Sequence, residues 1–142
     1  MIPDELFALS VRQPWLDMII RGAKTMEIRS WEVRRRGIVA LHGPMRIDFG
    51  AAHFFGYKSP WLLPRGGILA VAVIMEVRPM SVESWGETLS MHRQPVPMVG
   101  GAYGVILGDV RKLAKPVPCR GRQMLFPLDS QTVSRVRTNL PS

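Results

Sequence analysis

The chain has 142 residues, 46% of them apolar and 21% charged, a balance that argues against a disordered chain and fits one domain over residues 1–142. Nineteen basic residues against eleven acidic ones leave a formal charge of +8, and fifteen of the nineteen are arginine, the side chain suited to bidentate phosphate contacts and ring stacking. A single cysteine, Cys119, excludes an intramolecular disulfide and a multi-thiolate metal site, and no run approaches the ~20 apolar residues of a membrane span.

The N-terminal segment Met1–Ala8 carries Asp4 and Glu5 and has no basic region ahead of an apolar one, so it does not read as a signal peptide. A reducing, cytoplasmic setting is the expectation. Leu6–Val11 alternates weakly and reads as a short strand. Pro14 suits the first position of a helix, and Trp15, Met18, Ile19 and Gly22 share one face, which predicts a helix over Pro14–Arg21 with Gly22 just past its end.

Lys24–Trp31 alternates with period two. Met26 and Ile28 share an apolar face. Thr25, Glu27, Arg29 and Trp31 share a polar face expected to look onto a cleft or solvent, with the Lys24 ammonium bending outward from the entering turn. Glu32–Gly37, with three consecutive arginines, reads as a solvated turn. Ile38–His42 reads as a further strand, and Asp48 caps a short helix to Tyr57. Gly67–Val77 is a long, β-branched apolar run expected to be a central strand buried on both faces.

Ser81–Gly101 is punctuated by Pro and Gly and expected to be irregular. Tyr103–Leu107 reads as a strand that Val110–Leu113 could continue, and Lys115–Cys119 suits a strand edge. Gln123–Pro127 is a short apolar segment, and Asp129 caps a last helix to about Arg137. Short strands outnumber short helices without a βαβ rhythm. The expected fold is α+β, a small mixed or antiparallel barrel flanked by helices.

Metal chemistry has no ligand spacing here: His42, His53 and His92 are scattered, so no metal and no cofactor is expected. A GxSxG nucleophile motif is absent, and Gly100–Gly104 lacks the features of a phosphate-binding P-loop. The dense region is Gln13–His42. Between Arg21 and Arg36 it holds six basic residues (Arg21, Lys24, Arg29, Arg34, Arg35, Arg36) and two acidic ones, bracketed by Trp15 and Trp31.

Arginine beside exposed tryptophan serves single-stranded nucleic acid, guanidinium on phosphate and ring on base. The same residues could equally be a solvated basic turn and two core tryptophans. A second basic set runs from Arg111 to Arg137, with seven basic residues against Asp129. If the two sets face one way they form a continuous phosphate-attracting surface.

The segments Leu9–Trp15 (LSVRQPW), Arg21–Trp31 (RGAKTMEIRSW) and Arg36–Ile38 (RGI) occur in order and at spacings that resemble the ASCH (activating signal cointegrator homology) domain, closest to its cointegrator-type branch. Gly66–Leu69 resembles the start of the family's central strand and Gln123–Leu128 its closing strand, so the resemblance spans nearly the whole chain. It implies a PUA-like fold, a small β-barrel with helices around it and a cleft beside the first helix. It further implies that Gln13, Trp15, Lys24, Glu27, Arg29, Ser30 and Trp31 line or support that cleft, and that RNA or another nucleic acid is the partner.

Some relatives are similar to small amidohydrolases of acetylated cytidine, with a lysine, a threonine three residues later and a glutamate elsewhere. Lys24 matches the lysine, but position 27 is Glu and Thr25 is adjacent, so the nucleophile is missing. Ribonuclease activity has also been proposed in the family.

Three readings therefore stand. In the first, Lys24, Arg29 and Arg36 hold phosphate, Glu27 accepts from a base or fixes a neighbouring cation, Gln13 reads a base edge and Trp15 or Trp31 supplies a stacking surface. In the second, Lys24 and Glu27 are the catalytic pair of a nucleoside hydrolase or ribonuclease. In the third, the aromatic loop Phe54–Trp61 docks a protein partner.

Overall fold

The computed structural model describes residues 2–141; Met1 and Ser142, the ends of the expected domain, lie outside the described residues. The sheet has six strands: β1 (Phe7–Ser10), β2 (Met26–Arg29), β3 (Gly37–Gly43), β4 (Gly67–Pro79), β5 (Tyr103–Pro118) and β6 (Leu125–Pro127). Their order is β2-β5-β4-β3-β1-β6, with β1 parallel to β3 and every other neighbour antiparallel. Register shifts break the β4–β5 ladder at three places, between Ile68 and Ala70, Val71 and Val73, and Ile74 and Glu76. Such irregularities bend and twist the paired strands, and the mixed sheet curls into a half-barrel flanked by short helices, an α+β fold.

The first half of β4 is buried on both faces, as its unbroken apolar run requires. Alternate residues of the strands feed two apolar clusters. Leu9, Val39, Leu41, Leu69 and Ala72 meet helix α1 (Trp15–Ile20) in one. Ala8, Ala40, Ile68, Val71 and Phe126 meet Val133 and Val136 of helix α5 (Ser130–Asn139) in the other. Asp129 caps α5 by accepting from the Thr132 N–H at 2.7 Å. Replacing it with alanine is expected to cost about 1 kcal/mol, read as a lower urea midpoint with an unchanged slope.

α1 begins one residue later than expected. Pro14 occupies the cap position and Gly22 takes φ +81°, the left-handed turn that ends the helix. Helix α2 (Phe49–Phe54) is capped by the Asp48 carboxylate, which accepts from Ala51 N–H at 3.0 Å.

Two expectations are corrected. Ser81–Gly101 is not irregular throughout: it holds helices α3 (Val82–Glu87) and α4 (Leu89–His92). Ser81 and Ser84 exchange hydrogen bonds in a capping box, and local capping outweighs the Pro and Gly further on. The strand segments expected at Tyr103–Leu107, Val110–Leu113 and Lys115–Cys119 are one strand, β5. Its second half has only β4 as a neighbour, because β2 pairs no further than Ile106, so Pro116 and Pro118 interrupt no second ladder. No helix among the described residues is long and apolar enough to cross a membrane.

Candidate nucleic-acid interface

The QPW segment is structural. Gln13 is fully buried. Its side-chain carbonyl accepts from the Asp17 N–H at 2.8 Å, holding the first turn of α1, and its amide donates to the Pro64 carbonyl at 3.0 Å. Trp15 packs into the core, edge-on to Phe55 with ring centroids 5.5 Å apart, and its indole N–H donates to Asp48 Oδ2 at 3.0 Å. Buried and bonded in this way, neither side chain is open to a base from solvent.

Lys24 does not bend outward; it is 1% exposed. Its Nζ donates to the His92 carbonyl at 2.6 Å, lies 3.4 Å from Glu27 Oε1 and sits over the Trp15 ring at 4.7 Å. Three favourable partners in one place offset much of the desolvation of an ammonium. Burial still dominates its acidity and lowers its pKa from the ordinary 10.5, against the raising effect of Glu27.

Glu27, expected on an open polar face, is 5% exposed. The reason is tertiary: α3 and α4 fold over β2, with Met91 and Trp85 packed against the Met26–Met80–Ala102 cluster and the Met91 carbonyl accepting from Thr25 N–H at 2.9 Å.

From Glu27 the chain of charges runs outward. Its Oε2 lies 3.0 Å from Arg29 Nη1, and Arg29 Nη2 donates to the Ser10 carbonyl. Arg29 thus connects the interior ion pair to the surface, fixed from two sides, with about a fifth of its side chain exposed. There it lines a hollow of about 460 Å³ with Trp31, Arg122, Gln123 and Met124. On its other side Arg29 and Ser30 edge a smaller hollow with Trp85 and Val99.

A third hollow, of about 690 Å³, continues beyond Ser10, which lines both it and the first; Arg120, Arg122 and His42 border it. Arg120 and Arg122 have no carboxylate partner within 4.0 Å among the described residues.

The two basic sets of the sequence therefore meet, but through other residues than the densest run. Arg34 faces Glu32 at 3.6 Å; Arg35 faces Glu5 at 3.3 Å and covers the Phe7 ring. Arg36 is exposed, donates to the Val33 and Arg35 carbonyls and lines none of these hollows. Sequence reasoning passed over Ser10, His42, Arg120 and Arg122 as site residues. The signal for the last two was the second basic set, which carried no indication of its direction.

The loop bearing these arginines is held close. A Cβ on Gly121 would lie 2.5 Å from His42 Cε1 and 3.2 Å from Ser10 Oγ. Gly121→Ala is expected to displace Arg120 and Arg122 and to weaken any ligand held there while leaving the core clusters intact. Near-unchanged fluorescence of the buried Trp15 alongside reduced binding would register that outcome.

The ASCH domain model matches residues 9–120. The chain belongs to the ASCH domain family. The matched description covers the family at large and does not single out the cointegrator-type branch. The ASCH protein of Zymomonas mobilis has a similar fold, with a TM-score of 0.70 at 11% identity over 99% of each chain. Two mutant forms of that protein align with TM-scores of 0.69 and 0.68, each at 11% identity, covering 99% and 95% of this chain and 100% and 98% of theirs. No curated protein sequence matches the chain. Within the matched segment Gln13, Trp15, Lys24 and Glu27 form a buried frame, and Arg29, Ser30 and Trp31 reach the surface.

Proposed function

We propose that this ASCH domain binds single-stranded nucleic acid, RNA foremost, along the cleft where Arg29 and Trp31 meet Arg122 and Gln123. The observation that carries the reading is that shared hollow, which joins one arginine–tryptophan pair from the N-terminal segment to Arg122, about ninety positions later and without a carboxylate within 4.0 Å among the described residues. Guanidinium groups on either side hold phosphate, the Trp31 ring offers a stacking surface, and the Gln123 amide can read a base edge.

Gln13, Trp15, Lys24 and Glu27 act by positioning: they fix α1 and the base of Arg29. Ser30 edges the neighbouring hollow and extends the path of the strand. Arg36 adds long-range attraction. A cytoplasmic site of action fits an RNA partner.

Fluorescence anisotropy of labelled RNA and DNA oligonucleotides at rising salt tests this. A log–log plot of affinity against salt is expected to be linear with a negative slope, and Trp31→Ala is expected to weaken binding by about 1–3 kcal/mol. Absence of salt-sensitive binding to both polymers would end the proposal.

A hydrolase using Lys24 and Glu27 gains no support from their placement, since Lys24 Nζ is sealed by Glu27, Trp15 and the His92 carbonyl. The protein-docking reading keeps one observation in its favour, the exposure of Phe54, Trp61 and Leu62. Nuclease-resistant capture of a protein that survives Arg29→Ala but not Trp61→Ala would mark that surface.

A further inference from the structure

Ser10 and His42 are register partners on the parallel strands β1 and β3, and the proposed cleft does not use their side-chain chemistry. His42 Nε2 lies 2.7 Å from the Cys119 carbonyl oxygen. A carbonyl can only accept, so Nε2 carries the ring proton. In the neutral ring Nδ1 then presents a lone pair, and the Ser10 hydroxyl, 3.0 Å away, donates to it. The alternative acceptor for that hydroxyl, the Arg122 carbonyl, is farther at 3.5 Å. Burial lowers the His42 pKa from the ordinary 6.5, which keeps the ring neutral at pH 7, although the Cys119 carbonyl raises it.

The imidazole has no freedom to turn away. Phe126 packs edge-on against it at 5.8 Å, and the Gly121 backbone lies where a Cβ would clash with the ring. A hydroxyl held on the basic nitrogen of an imidazole, whose other nitrogen is fixed by an oxygen acceptor, is the arrangement that activates a serine.

Its surroundings define what it could meet. His42 is buried behind, while Ser10 is partly exposed where the two large hollows join. Pro44 and Met45 supply an apolar wall, and Arg120 and Arg122 a cationic rim. We infer that Ser10 is a nucleophile with His42 as its base, acting on carboxylic esters whose apolar acyl group seats against Pro44 and Met45 and whose alcohol part carries an anionic group toward Arg122.

Ser10 Oγ bonds to the carbonyl carbon as its proton passes to His42 Nδ1. The ester C–O bond breaks, and the departing alkoxide takes that proton and leaves as the alcohol. Water then gives a proton to Nδ1, its oxygen bonds to the acyl carbon, and the acid departs as Ser10 Oγ recovers the proton. Atoms and electrons balance without a cofactor.

The competing role for the pair is a plain tie between two strands, and serine reactivity separates the two. The full chain is treated with an alkyl fluorophosphonate, in which a P–O bond to Ser10 forms, the P–F bond breaks, fluoride leaves and the proton goes to His42. Peptide mass spectrometry then locates the adduct. The inference expects one adduct, on Ser10, absent in Ser10→Ala and formed about 100-fold more slowly in His42→Gln. Ser10→Ala, a single-atom deletion at a partly exposed site, keeps the test independent of any folding loss in His42→Gln. No adduct on Ser10 of the folded wild-type chain, or equal rates in the wild type and a folded His42→Gln, would overturn it. The probe carries no nucleotide, so its result stands apart from oligonucleotide binding.

Discussion

Glu27→Ala is expected to destabilise the domain by about 3–5 kcal/mol, the cost of leaving one member of a buried ion pair without its partner. Glu27 accepts from both sides, with Lys24 Nζ at 3.4 Å and Arg29 Nη1 at 3.0 Å. Without it the Lys24 ammonium keeps only the Trp15 face and the His92 carbonyl. Urea denaturation followed by tryptophan fluorescence measures the loss.

The pH dependence has a definite sign. The folded-state pKa of Lys24 lies below the ordinary 10.5 because of burial. Between the two values the unfolded chain binds more protons than the folded one, so this residue's contribution to stability rises with pH across that window and is lost as pH falls through the folded value. Removing Glu27 removes the raising influence and widens the window, so the variant should recover part of its deficit toward pH 10. The double variant Lys24→Met with Glu27→Gln, which has no buried ammonium, should regain most of the stability. It should still bind oligonucleotide less tightly than wild type, because Arg29 has lost its carboxylate.

Arg120→Ala together with Arg122→Ala is expected to produce the largest loss of binding without a loss of fold. Both side chains are exposed, border the hollows and have no carboxylate within 4.0 Å among the described residues, so nothing in the core depends on their charge. A charge-assisted hydrogen bond to phosphate contributes about 1.5–3 kcal/mol, and each phosphate contact removed should lower the salt slope by about 1. The control is Arg34→Ala with Arg35→Ala, which removes the same charge. Those arginines already face Glu32 and Glu5 and lie outside the hollows, so their loss should change affinity several-fold less. Equal losses in the two double variants would mean that net charge alone attracts the polymer.

The strands and the cap residues were legible because their causes are local. Asp48 and Asp129 cap the helices expected of them, and the apolar run at Gly67 becomes the buried central strand. Lys24 was misplaced because strand alternation describes only the faces of one strand. The His92 carbonyl that receives its ammonium comes from a helix hidden in a Pro- and Gly-rich stretch, sixty-eight positions away.

The cleft was legible on one side only. Arg29 and Trp31 stand in the motif, whereas Arg122 reaches them through the turn between β5 and β6, a contact no local pattern encodes. The Arg34–Arg36 run drew attention by density, yet acidic neighbours and backbone carbonyls occupy its guanidinium groups.

The most direct measurement is a nitrogen–proton NMR titration of the labelled domain with a short single-stranded RNA. The account predicts shifts at the Trp31 indole N–H, at the Arg29 side chain and at the backbone amides of Arg120–Met124, with the Trp15 indole N–H, buried against Asp48, left in place. Shifts confined to the Arg34–Arg36 turn, or to the Phe54–Leu62 loop, would contradict it.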